Sequence, residues 1–167
     1  MATLVAASAG FAVWATSTAD PQPVAVAALE SDELVRVIED DGFVFAPVTG
    51  ARVGLILYPG GRVDPASYAA FARQIAESGY LVVVPELSLN LAVLDVDAAS
   101  DIIAAYPSIE VWAIGGHSLG GSMAAVFAAD NPDVVSGLFL WAAYPPGGTD
   151  LSDAQLEVVW CSAPAMA

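Results

Sequence analysis

Short apolar runs alternate with longer stretches that have helical spacing across most of this chain, and that alternation is its strongest structural signal. Two strand-like runs, 34–38 and 43–45, flank the turn residues Asp40-Asp41-Gly42. A third strand is expected over 53–58, running into Pro59-Gly60-Gly61. The pattern then predicts a helix over 65–78, with Asp64 as its cap, Pro65 in its first turn and Gly79 at its end. Further strands are expected over 80–84, 109–114, 135–141 and 156–160. Helices are expected over 96–106 and 119–129. Strands that alternate with helices imply an α/β fold: a mostly parallel sheet with helices on both faces.

The first residues break this pattern. Residues 1–19 carry no charge and hold an apolar stretch over 4–15, so they read as an N-terminal anchor or signal. A positively charged leading region is lacking, and the stretch falls short of the roughly 20 apolar residues of a membrane span. A cytoplasmic hydrophobic extension is the alternative reading, so the chain is expected to be membrane-anchored or secreted, or else cytoplasmic. Asp20-Pro21-Gln22-Pro23 then opens a linker over 20–33, leaving 34–167 as one domain.

Composition narrows the function classes. The chain has four Arg, no Lys and nineteen acids, for a formal net charge of −15. Phosphate contacts need basic side chains, so a nucleic-acid partner is excluded. Such an acidic surface suits high-salt surroundings, and a GC-rich genome would produce a similar composition. One cysteine, Cys161, rules out an internal disulfide. No pattern for a metal or cofactor is present.

Chemistry concentrates at Gly115-Gly116-His117-Ser118-Leu119-Gly120-Gly121. It lies between the strand over 109–114 and the helix over 119–129, and reads as a G-x-S-x-G nucleophile elbow. On such a turn Ser118 stands at a sharp strand-to-helix corner. Gly116 and Gly120 are small because side chains there would meet neighbouring backbone. His117 is the chain's one histidine. A serine nucleophile needs an imidazole to take its proton, but the residue directly before it points away from it. His117 is therefore expected to be structural, and the catalytic base to be missing from this chain.

With these residues in view, the chain resembles the α/β-hydrolase superfamily over about 34–146. The likeness is strongest to small bacterial and archaeal hydrolases with G-L-I-x-Y-P-G-G after the third strand and L-N-L-A-V-L after the fourth. Here those motifs read Gly54-Leu55-Ile56-Leu57-Tyr58-Pro59-Gly60-Gly61 and Leu89-Asn90-Leu91-Ala92-Val93-Leu94. The resemblance implies a serine hydrolase acting on a small-molecule ester, thioester or similar acyl group. In some relatives an N-terminal membrane segment precedes the domain. Ser118 would be the nucleophile. The N–H of Leu119 would donate to the oxyanion, with a second donor at Gly60 or Gly61. Arg62 and Asp64, beside that loop, are expected to form a loop ion pair, with contact to substrate as the alternative. Glu86, Leu87, Asn90, Leu91 and Tyr144 follow strand ends, where they would line the pocket. Their apolar members suggest an uncharged acyl group.

In this superfamily the acid and then the histidine follow the nucleophile along the chain. After the run at 156–160, residues 161–167 look unlike a strand-end loop carrying that acid. In relatives the place reads like G-T-R-D-G, and one reverse translation of this tail spells L-G-T-R-D-G in a shifted frame. A frameshift near Trp160 is therefore expected, leaving an α/β-hydrolase fold without its last strands and with little or no turnover. A non-catalytic binding module and an inert fragment are the alternatives. A short natural protein with Asp150 or Asp153 as the acid is a further reading. The run over 135–141 would then lie at or near an uncovered apolar sheet edge, which favours misassembly.

Overall fold

Asp41 and Gly42 both adopt positive φ (44° and 118°), and this tight turn folds the chain back to start the sheet. The structure is a computed structural model that describes residues 17, 18 and 20–161. Strands β1 (Val35–Glu39) and β2 (Gly42–Pro47) form the antiparallel hairpin around that turn. They are followed by β3 (Val53–Tyr58), β4 (Leu81–Pro85), β5 (Val111–His117), β6 (Gly137–Trp141) and β7 (Glu157–Cys161). The sheet order is β1-β2-β4-β3-β5-β6-β7. The pair β2/β4 is antiparallel, and every pair from β4 through β3 to β7 is parallel. The mostly parallel sheet read from the alternating pattern is therefore present.

Among the described residues four helices flank the sheet: α1 (Pro23–Ala27), α2 (Ala69–Glu77), α3 (Ala98–Ala105) and α4 (Leu119–Asp130). On one face Val44, Ile56, Val83, Ile114, Leu138 and Leu140 pack beneath α3 and α4. On the other, Phe45, Leu57, Val82 and Val84 pack beneath α2, with α1 resting against it. Central strands buried on both faces explain why their sequences are continuous apolar runs.

Several boundaries differ from the sequence reading, each for a local reason. The expected helix over 65–78 is a 3-10 turn (Pro65–Tyr68) followed by α2; the Asp64 carboxylate caps the turn by accepting the Ala66 N–H at 2.8 Å. The helix expected from 96 begins at Ala98. There the buried Tyr58 hydroxyl accepts the Ala99 N–H and donates to the Val96 carbonyl, both at 2.8 Å. Strand β5 runs past the expected end at 114 through Gly115 and Gly116, which pair with Leu57 and Tyr58 of β3. The stretch expected as a linker contains α1, with Ala25 and Ala28 buried. Arg73 ties it down, donating to the carbonyls of Ala28 and Glu30 and to the Asp32 carboxylate.

Strand β6 lies next to the edge: its outer side pairs in parallel with β7, which has no strand beyond it among the described residues. Among the described residues, no helix is long and apolar enough to cross a membrane. The reading of 1–19 as anchor or signal rests on residues that lie, apart from Ser17 and Thr18, outside the described ones, as does the tail over 162–167.

Candidate active site

Strand β5 ends at His117 and α4 begins at Leu119, so Ser118 alone makes the corner. Its backbone sits at φ 51°, ψ −120°, a conformation that costs a non-glycine residue about 1–3 kcal/mol. Surrounding bonds hold it there. The Ser118 N–H donates to the Trp141 carbonyl at 2.9 Å, and its own carbonyl accepts the Ser122 N–H at 3.0 Å. Its side chain is exposed at the C-terminal end of the parallel strands. The corner closes only because its flanks are glycine. A Cβ on Gly116 would lie 2.5 Å from the backbone of Gly120, and one on Gly120 would lie 2.2 Å from the Tyr58 carbonyl oxygen. Gly121, Ala124 and Ala125 are buried, so α4 seats closely on the sheet, as its small residues suggested.

The turn after β3 comes up beside this corner. Within it the Val63 N–H donates to the Gly60 carbonyl at 3.1 Å, and the Arg62 N–H reaches the Asn90 carbonyl at 2.8 Å. That second bond straps the turn to the loop after β4, where Leu89 and Asn90 are both left-handed. Gly61 lies against Leu119: a Cβ built on it would stand 3.2 Å from Leu119 Cδ2 and 3.7 Å from Leu91 Cδ2. Gly60 and Gly61, the two expected donors, differ sharply. The buried Gly60 N–H is engaged, donating to the Tyr68 hydroxyl at 2.9 Å. The N–H groups of Gly61 and Leu119 have no hydrogen-bond partner among the described residues.

His117 is engaged on two sides. Its ring packs against Trp141, with centroids 5.3 Å apart, and its Nδ1 lies 3.0 Å from the Tyr68 hydroxyl. That hydroxyl also accepts the Gly60 N–H, and its own proton points at Nδ1 in the tautomer that carries the ring proton on Nε2. Burial pushes the His117 pKa below its ordinary value and the Tyr68 pKa above its own. Tyr68 is the site residue that the sequence reading missed. It sits eight residues beyond Gly60 in a helical turn, and nothing in its spacing marks it as a partner of that loop.

The remaining expected residues take mixed places. The ion pair expected between Arg62 and Asp64 is replaced: Asp64 caps its turn, and Arg62 donates to the Ser17 carbonyl at 2.9 Å. Leu91 flanks Gly61, whereas Leu87 is buried in the core and Tyr144 is largely exposed. Glu86 lines an acidic depression with Asp41, Asp95, Asp97 and Asp101.

A model of the alpha/beta hydrolase family matches residues 54–164, which takes in the elbow, the turn after β3 and every parallel strand. The chain belongs to that family. No curated protein matches it. Among solved structures it is similar to carboxyl esterase 2 from the mycorrhizal fungus Tuber melanosporum, at 16% identity and a TM-score of 0.54 over 68% of this chain and 46% of that one. It is similar to a bacterial brefeldin A esterase, described as a homologue of human hormone-sensitive lipase, at 21% identity and a TM-score of 0.50 over 88% and 49%. A third is esterase B from Lactobacillus rhamnosis, inhibited by a tributyrin phosphonate, at 16% identity and a TM-score of 0.55 over 85% and 57%. At these identities the likeness is one of fold, and the chain spans about half the length of the solved relatives.

Proposed function

We propose that Ser118 is the acyl-accepting nucleophile of a serine hydrolase that cleaves a small-molecule ester or related acyl bond. One observation carries this reading: an exposed serine held in a strained corner beside two backbone N–H groups, of Leu119 and Gly61, with no described partner. In the reaction Ser118 Oγ would attack the acyl carbon, and the carbonyl oxygen, as it becomes an oxyanion, would receive those two N–H groups. Such donors act where charge develops, so they stabilise the tetrahedral state more than the substrate. Leu91 and Leu119 flank Gly61, and that apolar surround favours an uncharged acyl group. Gly60 contributes by its lack of a side chain rather than as a donor, because its N–H is already bonded to Tyr68.

The hydroxyl proton of Ser118 must pass to a base. The single histidine of these 167 residues, His117, has its Nδ1 engaged with Tyr68 and its ring packed on Trp141. This chain by itself is therefore expected to accept an acyl group slowly and to turn over little, since an oxyanion hole and binding alone leave a small remnant of triad activity. The same observation supports the second reading, a binding module that keeps the pocket without the chemistry. Treatment with a fluorophosphonate probe, beside an assay with p-nitrophenyl butyrate, separates the two. Labelling that is lost in Ser118→Ala, with hydrolysis near the buffer rate, supports an activated nucleophile lacking its base. An unlabelled wild type supports the binding module and overturns the hydrolase reading.

A further inference from the structure

Tyr68 lies on the 3-10 turn before α2, outside the elbow and outside the turn after β3, yet its hydroxyl joins the two. It accepts the Gly60 N–H at 2.9 Å and faces His117 Nδ1 at 3.0 Å. The Gly60 N–H, the Tyr68 hydroxyl and His117 Nδ1 thus form one continuous run of two hydrogen bonds. We infer that Tyr68 is a positioning residue, which turns the Gly60 peptide inward and so leaves the next N–H, that of Gly61, facing the corner at Leu119 and Ser118. The inference rests on the reading of Ser118 as nucleophile and names a residue that reading does not require.

Geometry supports it at both ends. His117 and Gly60 are packed so closely that a Cβ on Gly60 would stand 2.7 Å from His117 Nδ1 and 3.2 Å from the Tyr68 hydroxyl. A side chain at position 60 would therefore displace the ring or the hydroxyl. Tyr68 is itself fixed, being 4% exposed and set edge-on to Trp141 with centroids 6.0 Å apart. Trp141 belongs to the same cluster: its carbonyl accepts the Ser118 N–H, and its ring packs on His117. One aromatic cluster thus holds both the nucleophile's backbone and the turn that carries Gly61. His117 has a use here that needs no proton transfer, as the fixed partner at the end of that run.

Because the chain holds a single histidine, its imidazole gives one unambiguous set of NMR signals. Long-range proton–nitrogen spectra of the labelled wild type are expected to show Nε2 protonated and Nδ1 as a hydrogen-bonded acceptor. In Tyr68→Phe, which keeps the ring and removes the hydroxyl, the Nδ1 signal is expected to move. Fluorophosphonate labelling of Ser118 is expected to slow roughly tenfold, less than the loss of a whole oxyanion donor. A proton on Nδ1 in the wild type would overturn the positioning role and leave the nucleophile reading intact. So would an unmoved His117 signal or a wild-type labelling rate in Tyr68→Phe. A wild type that is never labelled overturns the reading on which the inference rests. The wild-type tautomer needs no variant, so it decides the matter even where Tyr68→Phe does not fold.

Discussion

The corner at Ser118 and the outer strand β7 sit at opposite extremes of the same sheet. At the corner a Cβ on Gly116 or Gly120 would meet only backbone, that of Gly120 and Gly121 or the carbonyls of Tyr58 and Pro59, and Ser118 is bonded on both sides. Strand β7 is exposed along its whole length, with Val159 57% and Trp160 53% accessible. Strain is therefore stored where the surroundings over-determine the chain, and apolar surface is bare where one side of a strand has no neighbour among the described residues. A family fold can hold a costly serine conformation because many packed groups share the work of enforcing it. The edge has no such redundancy, and its properties should follow from single side chains.

The largest test of that contrast is a pair of glycines. A Cβ at Gly120 would lie 2.2 Å and 2.3 Å from the carbonyl oxygens of Tyr58 and Pro59, neither of which can swing aside. Gly120→Ala is expected to cost about 3 kcal/mol or more, as overpacking against fixed backbone does. Gly147, in the connection between β6 and β7, has nothing within 4 Å of such a Cβ. Gly147→Ala is expected to stay within about 0.5 kcal/mol of the parent. Urea unfolding of both variants gives the comparison directly. Equal losses would show that the corner yields as readily as the loop.

Legibility in the sequence follows the same divide. Strand β3 was read with its observed ends, because an apolar run bounded by Arg52 and Pro59-Gly60 leaves no other reading. The elbow was legible because the close approach of three chain segments demands glycines at fixed offsets. Tyr68 was not legible, since its bond to Gly60 depends on how a helical turn is rotated over the sheet. Strand β5 was cut short at 114 because glycine signals a break, whereas here Gly115 and Gly116 stay in the ladder to let Phe139 and α4 come close. The stretch at 20–33 reads as a linker because Asp20-Pro21-Gln22-Pro23 signals a break. It is held by the polar reach of Arg73 instead, and polar side-chain reach has no period to read.

A smaller effect with the opposite sign comes from Ser118 itself. Glycine tolerates φ 51°, ψ −120° without the clash that a Cβ brings, so Ser118→Gly should relieve the strain. The gain is reduced by the greater freedom of glycine in the unfolded chain, and a net stabilisation of about 1 kcal/mol is expected. Thermal unfolding checks it, with fluorophosphonate labelling lost at the same time. A destabilised Ser118→Gly would mean that the corner is not strained, and the argument that function keeps a costly residue there would fail.

The smallest effect on folding, and the most informative about the edge, is expected at Val159. It pairs with Phe139 of β6, and its outer side faces no strand among the described residues. Val159→Lys should change stability by no more than about 0.5 kcal/mol, since the side chain is already in water. Bare apolar edges recruit other chains, and lysine on an edge blocks that pairing, so association at high concentration should fall. Charge alone predicts the reverse. The chain carries a formal net charge of −15, and an added positive charge weakens the repulsion between copies. Sedimentation velocity over a concentration series therefore separates the two. Weaker association in Val159→Lys assigns it to strand pairing at β7, and stronger association assigns it to overall charge.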